Sequence, residues 1–305
     1  MENTGNLLQV QHLEKSYGSQ QTLFDVNFNC QKGRIIGLVG ANGAGKTTIM
    51  RAILGLIRYD GTIFMNQAQL SFNHNQQPDQ IGSLIETPGL YPYLTGREHL
   101  KLFLNPLKSN SQHITQLITD FRLEKFIDLK TKKYSLGMKQ KLGIALAFLN
   151  QPQLIILDEP LNGLDAQATR DLRTLITKTS STGVTFLISS HILSELQRLA
   201  DDVIVIQNGR VVKQTTMSKL LDQSQHRLHL KTNDDHQAEE LLRAAHYIVS
   251  VEDGLLIELT PDKTVETVVQ LMAKHQLAIQ DMRHLDDNLE TAILKMIDEP
   301  EAQDA

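Results

Sequence analysis

The sequence predicts an α/β fold: a parallel core sheet covered by helices on both faces, with an antiparallel β subdomain, a helical subdomain and a small C-terminal α+β unit. Three observations carry this. Short apolar runs rich in β-branched residues recur at 35–39, 154–157, 184–188 and 203–206, the composition of strands buried on both faces. Stretches with helical spacing at 48–54, 166–179 and 192–199 separate them, and strands alternating with helices imply parallel pairing. Beyond about residue 225 the order changes to β-α-β-β-α-β, the order of a ferredoxin-like unit.

Each part has its own pattern. Alternation of apolar and polar residues at 8–13 and 23–29 reads as strands of a half-exposed antiparallel layer. Residues 94–150 switch to helical periodicity, as in Arg97-Glu98-His99-Leu100-Lys101-Leu102-Phe103, and form an insert between two strand-rich parts. Asn208-Gly209 turns the strand at 203–206 back into 210–213 as a hairpin. The C-terminal unit reads as strand 227–231, helix 235–245, strands 247–251 and 255–259, helix 264–275 and strand 278–283. A last helix is expected at 288–297, followed by a disordered tail at 298–305. Two domains result, 1–224 and 225–305.

With 305 residues the chain is long enough for two cores. Its 30 basic and 35 acidic residues leave a net charge of −5, which argues against nucleic acid as a partner. One cysteine, Cys30, excludes an internal disulfide framework and fits a reducing compartment. The first residues lack the basic-then-apolar pattern of a signal peptide, and nowhere do about 18 apolar residues run together. The chain itself is therefore not expected to span a membrane.

The motif with the most chemistry is Gly40-Ala41-Asn42-Gly43-Ala44-Gly45-Lys46-Thr47, which fits the phosphate-loop spacing G-x-x-x-x-G-K-[ST] and stands between a buried strand and a helix. Glycines let backbone N–H groups wrap an anion, and the helix N-terminus adds its orphan donors and dipole. Lys46 is placed to neutralise β- and γ-phosphate oxygens, and the Thr47 hydroxyl to ligate Mg²⁺. Downstream, Leu154-Ile155-Ile156-Leu157 ends in Asp158-Glu159, and carboxylates at the carboxyl end of a buried strand emerge where α/β sheets bind ligands. Asp158 can then hold Mg²⁺, and Glu159 can take a proton from water attacking the γ-phosphate.

Together with Tyr134-Ser135-Leu136-Gly137-Met138-Lys139-Gln140 and Ser189-Ser190-His191, these motifs resemble the nucleotide-binding domain of ABC transporters, over about residues 8–217. The resemblance implies a P-loop NTPase of the ABC type that binds ATP with Mg²⁺. By it, Tyr17 stacks on adenine, and Gly40, Asn42, Gly43, Gly45, Lys46, Thr47 and Thr48 form the Walker A loop. Asp158 and Glu159 form the Walker B end, and His191 is the switch histidine. Ser135 and Gly137 belong to the signature that reaches ATP held by a second subunit, and Asp165, in Asn162-Gly163-Leu164-Asp165, belongs to the D-loop. A composite site of this kind implies a homodimer, or equivalent subunits paired in a complex.

Two departures stand out. Leu136 replaces the first of two adjacent signature glycines, and Glu86, in Leu84-Ile85-Glu86-Thr87-Pro88, falls where the family has the Q-loop glutamine that contacts Mg²⁺ and water. Glu86 is thus a candidate for both catalytic and metal roles. That glutamate, with the signature sequence, resembles the ATPases of bacitracin-resistance and lantibiotic-immunity exporters; the other reading is a variant glutamate in some different exporter. The resemblance implies a peripheral subunit on the inner face of the cell membrane, driving separate integral membrane permease subunits and making no contact with cargo. The rival is a soluble ABC ATPase of cofactor assembly or DNA repair. For the C-terminal unit, dimerisation, regulation and an inert appendage all remain open.

Overall fold

A computed structural model describes residues 5–72, 80–222, 226–260 and 262–286. The chain divides into two compact units, Met1–Met217 and Ser218–Ala305.

The first unit opens with a long hairpin, β1 (Asn6–Tyr17) and β2 (Gln20–Gln31), whose alternate residues are buried as the sequence pattern requires. After β3 (Ile35–Val39) and α1 (Lys46–Ile53), a second hairpin of β4 (Asp60–Met65) and β5 (Ala68–Leu70) adds to it, giving an antiparallel sheet of order β2-β1-β4-β5. The remaining strands are β6 (Ile81–Leu84), β7 (Leu154–Leu157), β8 (Thr185–Ser190), β9 (Asp202–Gln207) and β10 (Arg210–Thr216). They join β3 in a six-stranded sheet of order β10-β9-β3-β8-β7-β6. Every pair in it is parallel except β9–β10, which are joined by Asn208-Gly209, both at positive φ, the backbone of a tight hairpin.

One core binds the two sheets. Leu8, Val10, Leu13 and Leu23 of the antiparallel layer share a buried cluster with Ile36, Leu38, Ile156, Leu187 and Ile204 of the parallel one, and Ile49, Met50 and Ile53 of α1 belong to it. The helix that follows the phosphate loop is thereby gripped within the interior, with Lys46 at its first turn only 6% exposed. The helical insert holds α2 (Gly96–Phe103), α3 (Ser111–Asp120) and α4 (Leu136–Phe148). Thr95 and Glu98 start α2 with reciprocal side-chain-to-backbone bonds, a capping box. On the parallel sheet lie α5 (Ala166–Ser180) and the short α6 (Leu193–Gln197).

The short helix α7 (Met217–Asp222) precedes the second fold. There β11 (His226–Thr232), α8 (Asp235–Ala244), β12 (Val249–Glu252), β13 (Gly254–Glu258), α9 (Val265–Lys274) and β14 (Ile279–Asp286) follow in turn. The antiparallel order β12-β13-β11-β14 is the ferredoxin-like arrangement. It has its own core of Leu228, Leu230, Ala238, Leu242, Val249, Ile257, Val268 and Met272. The helix expected at 288–297 and the tail beyond it lie outside the described residues.

Strand β6, like β4 and β5, is not predicted by the sequence pattern; Ile81-Gly82-Ser83-Leu84 is short and interrupted by a small and a polar residue. Packing explains the glycine: a Cβ on Gly82 would lie 1.8 Å from the Ala147 carbonyl oxygen of α4. Gly82→Ala should therefore destabilise the first unit by about 1–3 kcal/mol, the usual cost of overpacking, and lower its unfolding midpoint in urea. A midpoint equal to that of the parent would show that α4 does not press on β6.

Candidate active site

The carboxyl ends of β3, β7 and β8 lie side by side in the parallel sheet, and each delivers one part of the site. From β3 the chain runs through the glycine loop into α1, where Gly45 takes the cap position at φ +110°, a conformation that side chains other than glycine rarely adopt. A Cβ there would also meet Leu23 Cδ2 at 2.7 Å. No side chain caps α1, so its first N–H groups face the loop mouth as an anion site. Lys46 Nζ donates to the carbonyls of Gly40 at 2.6 Å and Ala41 at 3.2 Å, and lies 3.7 Å from Glu159 Oε1.

Asp158, at the end of β7, is 4% exposed. Burial of a carboxylate is costly unless hydrogen bonds satisfy it, and two hydroxyls do so here. Thr47 Oγ1 donates to Oδ2 at 2.7 Å and Ser189 Oγ donates to Oδ1 at 2.5 Å. Ser189 in turn accepts the Glu159 N–H at 2.8 Å, so one serine fixes both acidic residues. Glu159 sits at φ +48° and its Oε2 is 2.9 Å from His191 Nδ1. An open cleft of about 280 Å³ is lined by Thr22, Asn42, Gly43, Gly45, Lys46, Thr47, Thr48, Asp158 and Glu159.

The other expected residues stand apart from this cleft. Tyr17, 46% exposed, ends the β1–β2 hairpin with Lys15 Nζ 4.7 Å from its ring centroid. Ser135 caps α4 by accepting the Met138 N–H, and Leu136 beside it is 60% exposed. A Cβ on Gly137 would come within 3.0 Å of the Gly163 oxygen, which places the two loops side by side. Asp165 caps α5, and the Ala168 N–H bonded to its carboxylate holds its pKa below the usual range. Glu86, at φ +57°, pairs with Arg51 at 2.7 Å.

Three residues of interest escape sequence reasoning. Ser189 and Asp158 are 31 residues apart, and only the neighbouring register of β7 and β8, Leu157 beside Ile188, brings them together. Thr22 reaches the cleft through the packing of β2 on the loop, and Arg51 looks in sequence like an ordinary surface cation of α1.

The described residues contain no helix long and apolar enough to cross a membrane. The ABC transporter family model matches residues 23–162. The bacitracin transport ATP-binding protein BcrA of Enterococcus faecalis is 33% identical over 296 residues, covering 95% of this chain and 96% of that protein. The lantibiotic transport ATP-binding protein SrtF of Streptococcus pyogenes is 41% identical over 207 residues, covering 68% and 89%. A solved ATP-binding subunit of an ABC transporter matches with a TM-score of 0.66 at 35% identity, over 71% of this chain and 92% of that one. With the phosphate loop, the paired carboxylates and the histidine in one place, the chain belongs to the ABC transporter family, as an ATP-binding and ATP-hydrolysing subunit.

Proposed function

We propose that this subunit spends ATP, with Mg²⁺, to drive separate membrane permease subunits that export a peptide antibiotic, giving immunity or resistance of the bacitracin or lantibiotic kind. The observation that carries the proposal is the near end-to-end similarity to BcrA, which extends through the C-terminal unit. That extent also sets aside a soluble ATPase of cofactor assembly or repair. The subunit is then peripheral on the inner face of the cell membrane, and cargo touches the permease.

In the cleft, Lys46 and the N–H groups of α1 bind and orient the phosphates. Glu159 receives the proton of the attacking water, and His191 holds its carboxylate in place from the other side. The hard oxygens of Thr47 and Asp158, 2.7 Å apart, suit Mg²⁺. The described residues contain no group of three or more histidine, cysteine or acidic side chains that could hold a metal ion, as expected when phosphates and water complete the coordination. Mg²⁺ bound there would neutralise developing charge on the phosphates. Ser135, Gly137 and Asp165 lie outside the cleft, which supports their serving the cleft of a second copy across a dimer.

Glu159→Gln should keep ATP affinity within about threefold while kcat falls at least 100-fold, the order expected for loss of a general base, and should accumulate as an ATP-bound dimer in sedimentation. Hydrolysis at the parent rate would remove Glu159 from that role. Expressed with its permease in a sensitive host, the parent should raise the inhibitory concentration of bacitracin or a lantibiotic, and Glu159→Gln should not. Ser189→Ala leaves Asp158 and the Glu159 N–H each short of a partner, which should cost about 1–3 kcal/mol of stability and lower kcat about tenfold through misplacement of the base. Thermal unfolding and steady-state kinetics check both.

A further inference from the structure

The turn that bears His191 is held by a hydrogen-bond relay that lies behind the cleft. Strand β8 ends at Ser190 and α6 begins after Ile192, so His191 is the middle residue of a tight link between strand and helix. Ile192 stands at the cap position of α6 and offers no side chain to the orphan donors there. The missing acceptor comes from the residue before the histidine. Ser190 Oγ takes the Ile192 N–H at 2.9 Å.

Ser190 is 2% exposed, and its single hydroxyl proton has two acceptors in reach, Glu195 Oε2 at 2.9 Å and the Ile192 carbonyl at 3.0 Å. An ionised carboxylate is the stronger acceptor, so the proton goes to Glu195, in the first turn of α6. In a capping box the glutamate three positions after the cap bonds the cap N–H itself. Here Glu195 holds that position, and a buried serine carries its grip back to the Ile192 N–H. The two bonds brace the backbone on both sides of His191.

The anchor is firm because α6 is pressed onto the sheet. Leu196, next to Glu195, is fully buried, and a Cβ on Gly37 of β3 would lie 2.9 Å from its Cδ1. The His191 side chain is 35% exposed, and among the described residues the one hydrogen bond of its ring is the 2.9 Å contact with Glu159. The aim of the ring thus depends on the turn that carries it.

We propose that Glu195 is a positioning residue for ATP hydrolysis: through Ser190 it fixes the turn at 190–192 and so aims the His191 ring at Glu159. The inference rests on the hydrolytic reading of the cleft and adds to it a residue that acts only through others.

The test uses the purified full chain. Glu195→Ala should lower kcat about tenfold with KM for ATP within about twofold of the parent, the pattern of a misplaced catalytic group and not of lost binding. Glu195→Gln, whose amide oxygen still accepts from Ser190, should stay near the parent. Ser190→Ala should act like Glu195→Ala, and the two together should be no slower than either. The ring itself is read by nitrogen-15 NMR of histidine-labelled chain, with the His191 signals assigned by their loss in His191→Gln. Glu195→Ala should move the Nδ1 resonance toward that of a solvated histidine, and Glu195→Gln should leave it in place. An unmoved resonance in Glu195→Ala, additive losses in the double variant, or Glu195→Gln as slow as Glu195→Ala overturns the proposal. A parent chain without ATPase activity would instead count against the proposed function, and the resonance would still decide whether Glu195 aims His191.

Discussion

The structure of the site depends on one buried carboxylate. Asp158 is almost wholly removed from solvent, and it takes one hydroxyl from α1 through Thr47 and another from β8 through Ser189. Those bonds tie the ends of three neighbouring strands to one another at the point where their side chains converge. Satisfying the carboxylate therefore also sets the position of α1, of the Glu159 backbone and of the loop that bears His191. The enclosing apolar core does the rest, because Ile49, Met50 and Ile53 leave α1 no freedom to swing. Electrostatics and packing act on the same helix from opposite ends.

How much of this was legible follows from how far apart the partners stand in sequence. The phosphate loop could be read directly, since its glycines, Lys46 and Thr47 occupy eight consecutive positions and each answers a local need of the backbone or of an anion. Asp158 and Glu159 were legible because they end a run with no other polar residue. Ser189 was not, since its bond to Asp158 requires knowing that β7 and β8 are neighbours and in which register. Strand β6 was hidden for a different reason: its glycine answers to the Ala147 carbonyl across the packing interface, not to any strand pattern. The pairing of Glu86 with Arg51 was out of reach as well, because a lone cation on a helix gives no hint of its partner.

The residues assigned by resemblance divide into two groups, and the geometry gives the division a physical sense. Lys46, Thr47, Asp158, Glu159 and His191 are linked by contacts within one chain. Ser135, Gly137 and Asp165 form a separate region, in which both Ser135 and Asp165 spend their side chains on capping helices α4 and α5. Caps of that kind fix where a helix begins, and so fix the direction in which its remaining N–H groups point. Both caps are made without any contribution from the cleft. The exposed Leu136, where the family has glycine, projects from that region and packs toward Gly163, 3.3 Å from where a Cβ on that glycine would stand.

Every candidate residue for this chemistry falls between Tyr17 and His191, within the first unit. In the C-terminal unit, Leu228 and Leu230 of β11 lie in the core with α8 and α9, while the alternate residues Arg227, His229 and Lys231 belong to the opposite face. On that face Lys231 pairs with Asp253, and His229 bonds the Asp253 carbonyl. The face is not wholly polar or satisfied: His229 Nδ1 is buried without a hydrogen-bond partner among the described residues, and Leu256, opposite His229 in the register, is buried. The similarity to BcrA that runs the length of both chains, beside a match to SrtF over 68% of this chain, sets this unit apart from the ATPase itself.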